Sequence, residues 1–262
     1  NNAFENLVAH GLAKVLGRTT QKTTPVLATS PGALELLPNR NYPQPWLHVR
    51  VLKSIRPAAA PSYGVKDDAL RYKTVAHEVL HLPNGKVANP YDLYRDMNSW
   101  YRLFDPALAD PAGKYRKVKG GVIEAIESAI DTAEKFHDAL DGFYHPNTYA
   151  FYGDDRDKLS FGQIGLVAHQ QGASATPLTA ANIAAARLLG RTASGQRRIL
   201  VEEKTQLQFE PEPQEARGDG TVPHQSGEAD LAKKVKRVFA TQGFDHQGSY
   251  NNNEMVMLTL RL

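Results

Sequence analysis

The segment ARGDGTVPHQSG, residues 216–227, sets the carboxylate of Asp219 between two glycines. A carboxylate in such a turn is oriented by nearby backbone, and a catalytic imidazole needs a held carboxylate as its partner. A little further on, TQGFDHQGSYNN (241–252) places His246 in a second turn-rich stretch. An acid followed by a histidine, each on a loop, fits the Ser, Asp or Glu, His order of the α/β-hydrolase triad. In that chemistry the acid holds the imidazole tautomer and stabilises the imidazolium. The histidine takes the nucleophile's proton and returns it to the leaving group. The bland alternative is that Asp-Gly is a common turn signal and the acid merely bonds its own backbone.

Each position has rivals. His224 lies close behind Asp219 and reads as a turn residue on the rim of the same site. Asp154 and Asp155 follow the strand-like TYAFYG, where a triad acid is usually found. HEVLH (77–81) spells a zincin motif, with His77 and His81 one helical turn apart as zinc ligands and Glu78 as base. Pro83 and the Asn84-Gly85 turn follow at once, and no third ligand stands out; a strand or helix end entering a turn is the competing reading. No G-x-S-x-G occurs. GASAT (172–176) lacks the second glycine. GLVAHQQGA (165–173) has the outline of a nucleophile elbow, but its centre is Gln170, and an amide cannot attack an ester. The chain is then either a hydrolase-like binding module without chemistry, or the acid and base of a hydrolase whose serine lies outside these 262 residues.

The elements that would position these groups follow from periodicity. AFENLVAHGLAKVLG (3–17) predicts a helix whose apolar stripe needs something to pack on. Five prolines break 24–49 into loop and short extended pieces, and 55–66 reads as a surface excursion. PYDLYRDMNSWYRLF (90–104) predicts a helix. The clearest helix is 118–141, with Val122, Ile126, Ile130, Ala133, Phe136 and Leu140 on one face. TYAFY (148–152) predicts a buried strand, LTAANIAAARLLG (178–190) a helix capped by Thr179 and stopped by Gly190, and ILVEEKTQLQF (199–209) a strand. EADLAKKVKRVF (228–239) predicts a helix, or a helix running into a strand. MVMLTLRL (255–262) is apolar to the last residue.

Composition sets the bounds. Hydrophobic content of 41% and charged content of 23% are those of a globular protein with a sizeable core. The net charge of +3 is too weak and scattered to argue for nucleic acid. There is no cysteine, so disulfides and thiolate metal sites are excluded. No apolar run approaches a membrane span. No cofactor motif is present. Calcium stays open, because Asp154, Asp155 and Asp157 form a loose acidic cluster.

Five stretches together, SPGALELLPNRNY (30–42), NPYDLYRDMNSWYRLFDP (89–106), YHPNTYAFYGDD (144–155), RGDGTVPHQSG (217–227) and FDHQGSYNN (244–252), resemble antibacterial (Tle-type) lipase effectors of type VI secretion systems. These relate to lecithin-cholesterol-acyltransferase-like and PGAP-like α/β-hydrolases. The resemblance implies an α/β fold: the C-terminal part of an α/β-hydrolase with a large, mostly helical lid or cap. Residues 1–19 would pack on an N-terminal portion bearing the serine elbow and oxyanion hole, 20–145 would form the lid, and 146–262 would carry the triad acid and histidine. Carried over by position, Asp219 is the acid and His246 the base. The implied substrate is membrane phospholipid, cut at its acyl esters. The implied partners are that N-terminal portion, an immunity protein and a spike protein of the secretion apparatus, with delivery to the target-cell periplasm. Trp46, Trp100, Tyr101, Leu103 and Phe104 would then be candidates for an apolar wall that holds acyl chains, with core packing of the cap as the alternative for each.

Overall fold

The computed structural model describes residues 20–55, 73–84, 88–140, 143–170, 178–228 and 234–262. The expected helix at 3–17, the excursion after residue 55 and the GASAT segment lie outside these.

A six-stranded mixed sheet forms the main core. Its strands are β1 (Leu47–Ile55), β2 (Lys73–Leu82), β5 (Ile164–Gln170), β6 (Arg187–Arg191), β7 (Arg197–Val201) and β8 (Thr205–Pro211), in the order β2-β1-β5-β8-β7-β6. Every neighbouring pair is antiparallel except β1 and β5, which run parallel from Leu47↔Ile164 to Lys53↔Gln170. The alternation LHVRV puts Leu47, Val49 and Val51 fully into the core. Phe209, Ile199 and Val201 do the same from β8 and β7.

Helices cover this sheet. The short α1 (Thr20–Leu27), α2 (Pro31–Leu34), α3 (Pro90–Arg95) and α4 (Pro106–Ala109) surround the long α5 (Gly121–Leu140). On α5, Ile126, Ala129, Ile130 and Ala133 follow the i, i+3, i+4, i+7 rule and are buried, whereas Phe136 and Leu140 emerge at the surface. Glu134 on α5 pairs with Arg40 and Arg95 and accepts from Asn89 Nδ2 at 3.1 Å, clamping three segments together. Among the described residues no helix is long and apolar enough to cross a membrane.

Two small sheets stand apart from the large one. The first pairs β3 (Tyr149–Gly153) parallel with β10 (Arg237–Thr241). The second pairs β4 (Asp155–Ser160) antiparallel with β9 (Ala216–Gly218). Between β9 and β10 lies α7 (His224–Glu228). The chain continues through a 3-10 turn (Gly248–Asn251) into α8 (Asn253–Arg261), capped by the Asn252 side chain on the N–H groups of Glu254 and Met255. Mixed sheet and helices together make an α/β arrangement, and the large sheet draws strands from both sides of residue 145.

Several expected elements differ. The 90–104 helix stops at Arg95 because the Asp96 carboxylate captures the N–H groups of Asn98 and Ser99 and turns the chain. Thr179 does cap a helix, α6 (Ala180–Ala184), through the Asn182 N–H, but that helix gives way to β6. Gly190 sits in a strand opposite Arg198 and stops nothing. The 199–209 strand is in fact a hairpin: Glu202 and Glu203 both take positive φ, 47° and 54°, as a tight primed turn requires. The expected loop at 24–49 contains the end of α1, all of α2 and the start of β1. The TYAFY strand is only half-buried, with Phe151 36% exposed, because it has a single partner strand.

Candidate active site

The acid turn is built from backbone up. Gly153, at the end of β3, lets the Asp219 side chain approach; a Cβ there would lie 2.6 Å from Asp219 Cβ. Gly218 lets the turn fold against β4, since a Cβ would meet Val222 O at 2.3 Å and Ser160 Oγ at 2.5 Å. Gly220 supplies the positive φ of 87° that closes the turn. Asp219 itself is buried. Its Oδ1 accepts from the N–H groups of Thr221 and Val222, at 3.0 and 2.7 Å. Its Oδ2 faces His246 Nδ1 at 2.8 Å.

The histidine loop follows β10 and is tied down at several points. His246 N–H donates to Asp219 O at 2.8 Å, so backbone and side chain both reach the acid turn. Gly243 N–H donates to Asp155 Oδ2 at 3.0 Å, and Phe244 packs edge-on against Phe151 of β3 with ring centres 6.2 Å apart. Ser249 Oγ donates to His246 O at 3.1 Å. An ionised Asp219 makes Nδ1 the protonated nitrogen, which leaves Nε2 as the free base. Half of the His246 side chain is exposed. Among the described residues no hydroxyl bonds Nε2.

His246 opens onto a cavity of about 500 Å³. One wall is apolar, from Leu36, Leu37, Pro38, Phe161, Val222 and Pro223; Glu35, Asn39, Asn41, Thr221 and Ser226 bring polar groups. Tyr42 and Tyr144 complete it. Tyr42 OH donates to Gly162 O at 2.7 Å and so joins the loop after α2 to the β4–β5 turn. Burial, reinforced by Glu215, pushes the Tyr42 phenol up to about 12, so it stays a neutral donor.

The rival residues fall elsewhere. His224 begins α7 and faces Glu228, with Nδ1 3.6 Å from Oε2. Asp154 pairs with Arg217 at 3.2 Å. The Asp155 carboxylate accepts from the N–H groups of Asp157 and Gly243, which hold it below the usual carboxylate range. Asp155 thus supports the histidine loop and does not bond the histidine. Gln170 ends β5 and does not line the cavity. The HEVLH residues lie on strand β2, not on a helix. Four strand residues span roughly 13 Å, too far for His77 and His81 to share one ion. Among the described residues no group of three or more His, Cys, Asp and Glu side chains gathers as metal ligands.

The expected apolar wall is core. Trp46 and Trp100 are each 2% exposed; Trp46 stacks on Tyr94, and Trp100 packs on Phe209 and donates to Ile183 O at 2.6 Å. Tyr101, Leu103 and Phe104 pack against the same core. The cavity wall instead comes from the loop after α2, from residue 144 and from the β4–β5 turn. The first two lie in the stretches at 30–42 and 144–155, which carried the resemblance without assigning these residues; the β4–β5 turn lies in none of the five stretches.

The structure thus sets a carboxylate–imidazole pair beside a cavity within an α/β arrangement. The sequence matches no protein-family model and no curated protein. Among solved structures it is similar to a chain of the Tle4–Tli4 complex, at 24% identity and a TM-score of 0.62 over 94% of this chain. That likeness shows a shared fold. It covers 47% of the solved chain, so this chain spans about half of its length.

Proposed function

We propose that this chain supplies the acid and base of a serine esterase that hydrolyses acyl esters of membrane phospholipids. The observation that carries this reading is the 2.8 Å contact between Asp219 Oδ2 and His246 Nδ1, made by a buried carboxylate and a half-exposed imidazole at the mouth of a cavity. In this reading the Nε2 base takes the proton of a serine hydroxyl as the oxygen attacks the ester carbonyl. The imidazolium, stabilised by Asp219, then protonates the departing alcohol. Water repeats the sequence on the acyl-enzyme. The serine and its oxyanion hole are carried outside these residues.

The parallel β3–β10 pair, with the two loops that follow, belongs to the hydrolase sheet. The six-stranded sheet and its helices form the cap over the site. With the sequence resemblance and the shared fold, the protein reads as a type VI secretion lipase effector. It is delivered to the periplasm of a target cell and restrained by an immunity protein.

The test is replacement of each histidine in the complete enzyme. His246→Ala lowers kcat by about 10⁴–10⁶, the loss expected of a triad base. His224→Ala costs roughly tenfold or less, as a positioning residue would. Rates on phospholipid vesicles decide it; the reverse ranking overturns the assignment.

A further inference from the structure

Among the described residues, the cavity beside His246 is lined by one acidic residue, Glu35, and by no lysine or arginine. Glu35 caps the C-terminus of α2. Its N–H donates to Pro31 O at 2.9 Å, and its carbonyl oxygen meets His137 Nε2 at 2.9 Å. Its backbone is fixed from both sides, yet among the described residues nothing pairs with its side-chain carboxylate. Arg40, five residues on, is turned away onto Glu134 and Asp138. The result is a half-buried, uncompensated negative charge in the same cavity as the base, on a chain whose net charge is +3.

A carboxylate left without a partner at the wall of a substrate cavity discriminates by charge, and the partner it favours is a cation. Building on the ester-hydrolase reading above, we propose that Glu35 is a specificity-determining residue. It selects acyl-ester lipids whose polar head carries an ammonium group, such as ethanolamine or choline, over lipids with an uncharged polyol head. The apolar wall of Leu36, Phe161 and Val222 is left for hydrocarbon. The ammonium contributes no bond making or breaking. It orients the head so that the ester lies toward Nε2.

The complete enzyme is assayed in uncharged detergent micelles holding dilute phosphatidylethanolamine, phosphatidylcholine or phosphatidylglycerol with identical acyl chains. Each rate is divided by that variant's rate on an uncharged short-chain nitrophenyl ester. At a half-exposed site one charge pair is expected to alter the ratio by about tenfold. The wild type therefore favours the ammonium lipids by about tenfold, Glu35→Gln brings the ratio close to one, and Glu35→Lys inverts it. The glutamine variant keeps both backbone contacts of the cap. A wild-type ratio near one, or a preference that survives in Glu35→Gln, overturns the assignment of Glu35 and leaves the esterase reading standing. Failure of the wild type to turn over any ester sinks both.

Discussion

Asp219 is held by three polar contacts that do different jobs. Two backbone N–H groups on Oδ1 hold the carboxylate aimed, and the third contact, at Oδ2, reaches the imidazole. An amide at this position could keep Oδ1 in place, yet it would present an NH₂ donor to Nδ1 and drive the ring into the wrong tautomer. Asp219→Asn in the complete enzyme is therefore expected to lower kcat by about 10⁴ with the circular dichroism spectrum preserved. Asp155→Asn should cost far less, about tenfold, because its carboxylate braces the backbone of Asp157 and of Gly243 in the histidine loop and does not bond the imidazole. Equal losses at the two positions would make Asp155 part of the catalytic machinery.

The identity of this pair was legible in sequence because the turn chemistry is local: glycine on either side of Asp219, glycine before and after His246. The cavity was not legible in the same way, since it joins the loop after α2, Tyr144, the β4–β5 turn, the acid turn and α7, and no local pattern reports that such distant segments meet. The tryptophans misled for a related reason. Large aromatic residues serve both pockets and cores, and burial at 2% exposure assigns Trp46 and Trp100 to the core.

Among the elements, α5 is the one whose charges are most tightly engaged. Burial pushes the Glu134 carboxyl up. Hydrogen bonds from Arg95 and Asn89 and the charges of Arg95 and Arg40 outweigh it, and the net effect is a carboxyl below its ordinary range. A carboxyl depressed in the folded state stabilises the fold above its unfolded pKa, and that contribution is lost as pH falls through its folded value. Thermal unfolding of the wild type at pH 7 and at pH 4 or lower should differ by more than it does for Glu134→Gln, which cannot titrate. An equal pH response in the variant would mean that the Arg40–Glu134–Arg95 cluster contributes no pH-dependent stability.

The elements most plainly written in the sequence were those with a long uninterrupted period, α5 above all. The period fails where side chains intervene: the Asp96 carboxylate ends α3 at Arg95, well short of Phe104, a cap-and-turn competition that hydrophobic spacing cannot reveal. It fails again where pairing overrides propensity. RLLGR would extend a helix by residue type, but β7 offers it a ladder, and the Glu202–Glu203 turn fixes β7 against β8 in turn.

For the whole molecule, the proposed split triad makes a direct prediction. The 262-residue chain alone should show no turnover of nitrophenyl esters and no labelling by a serine-directed phosphonate, because its sequence holds no G-x-S-x-G elbow. A labelled serine within it would move the nucleophile inside the chain and displace the split-site reading.

The strand pairings also impose an order of assembly. Each antiparallel ladder of the large sheet except β5–β8 joins segments that follow one another in the chain, and such hairpins close quickly. The two parallel ladders do not: β1 must find β5, and β3 must find β10 across residues 154–236. Closing loops of that length carries an entropic cost before any contact offsets it, so these ladders are expected to form last. His246 follows β10, so it meets Asp219 only when that final ladder closes. Pulse-labelling hydrogen exchange during refolding should find the amides of β6–β8 protected before those of β10. The nascent chain would thus spend most of its folding time with Asp219 and His246 apart, joining the two as one of the last events of folding.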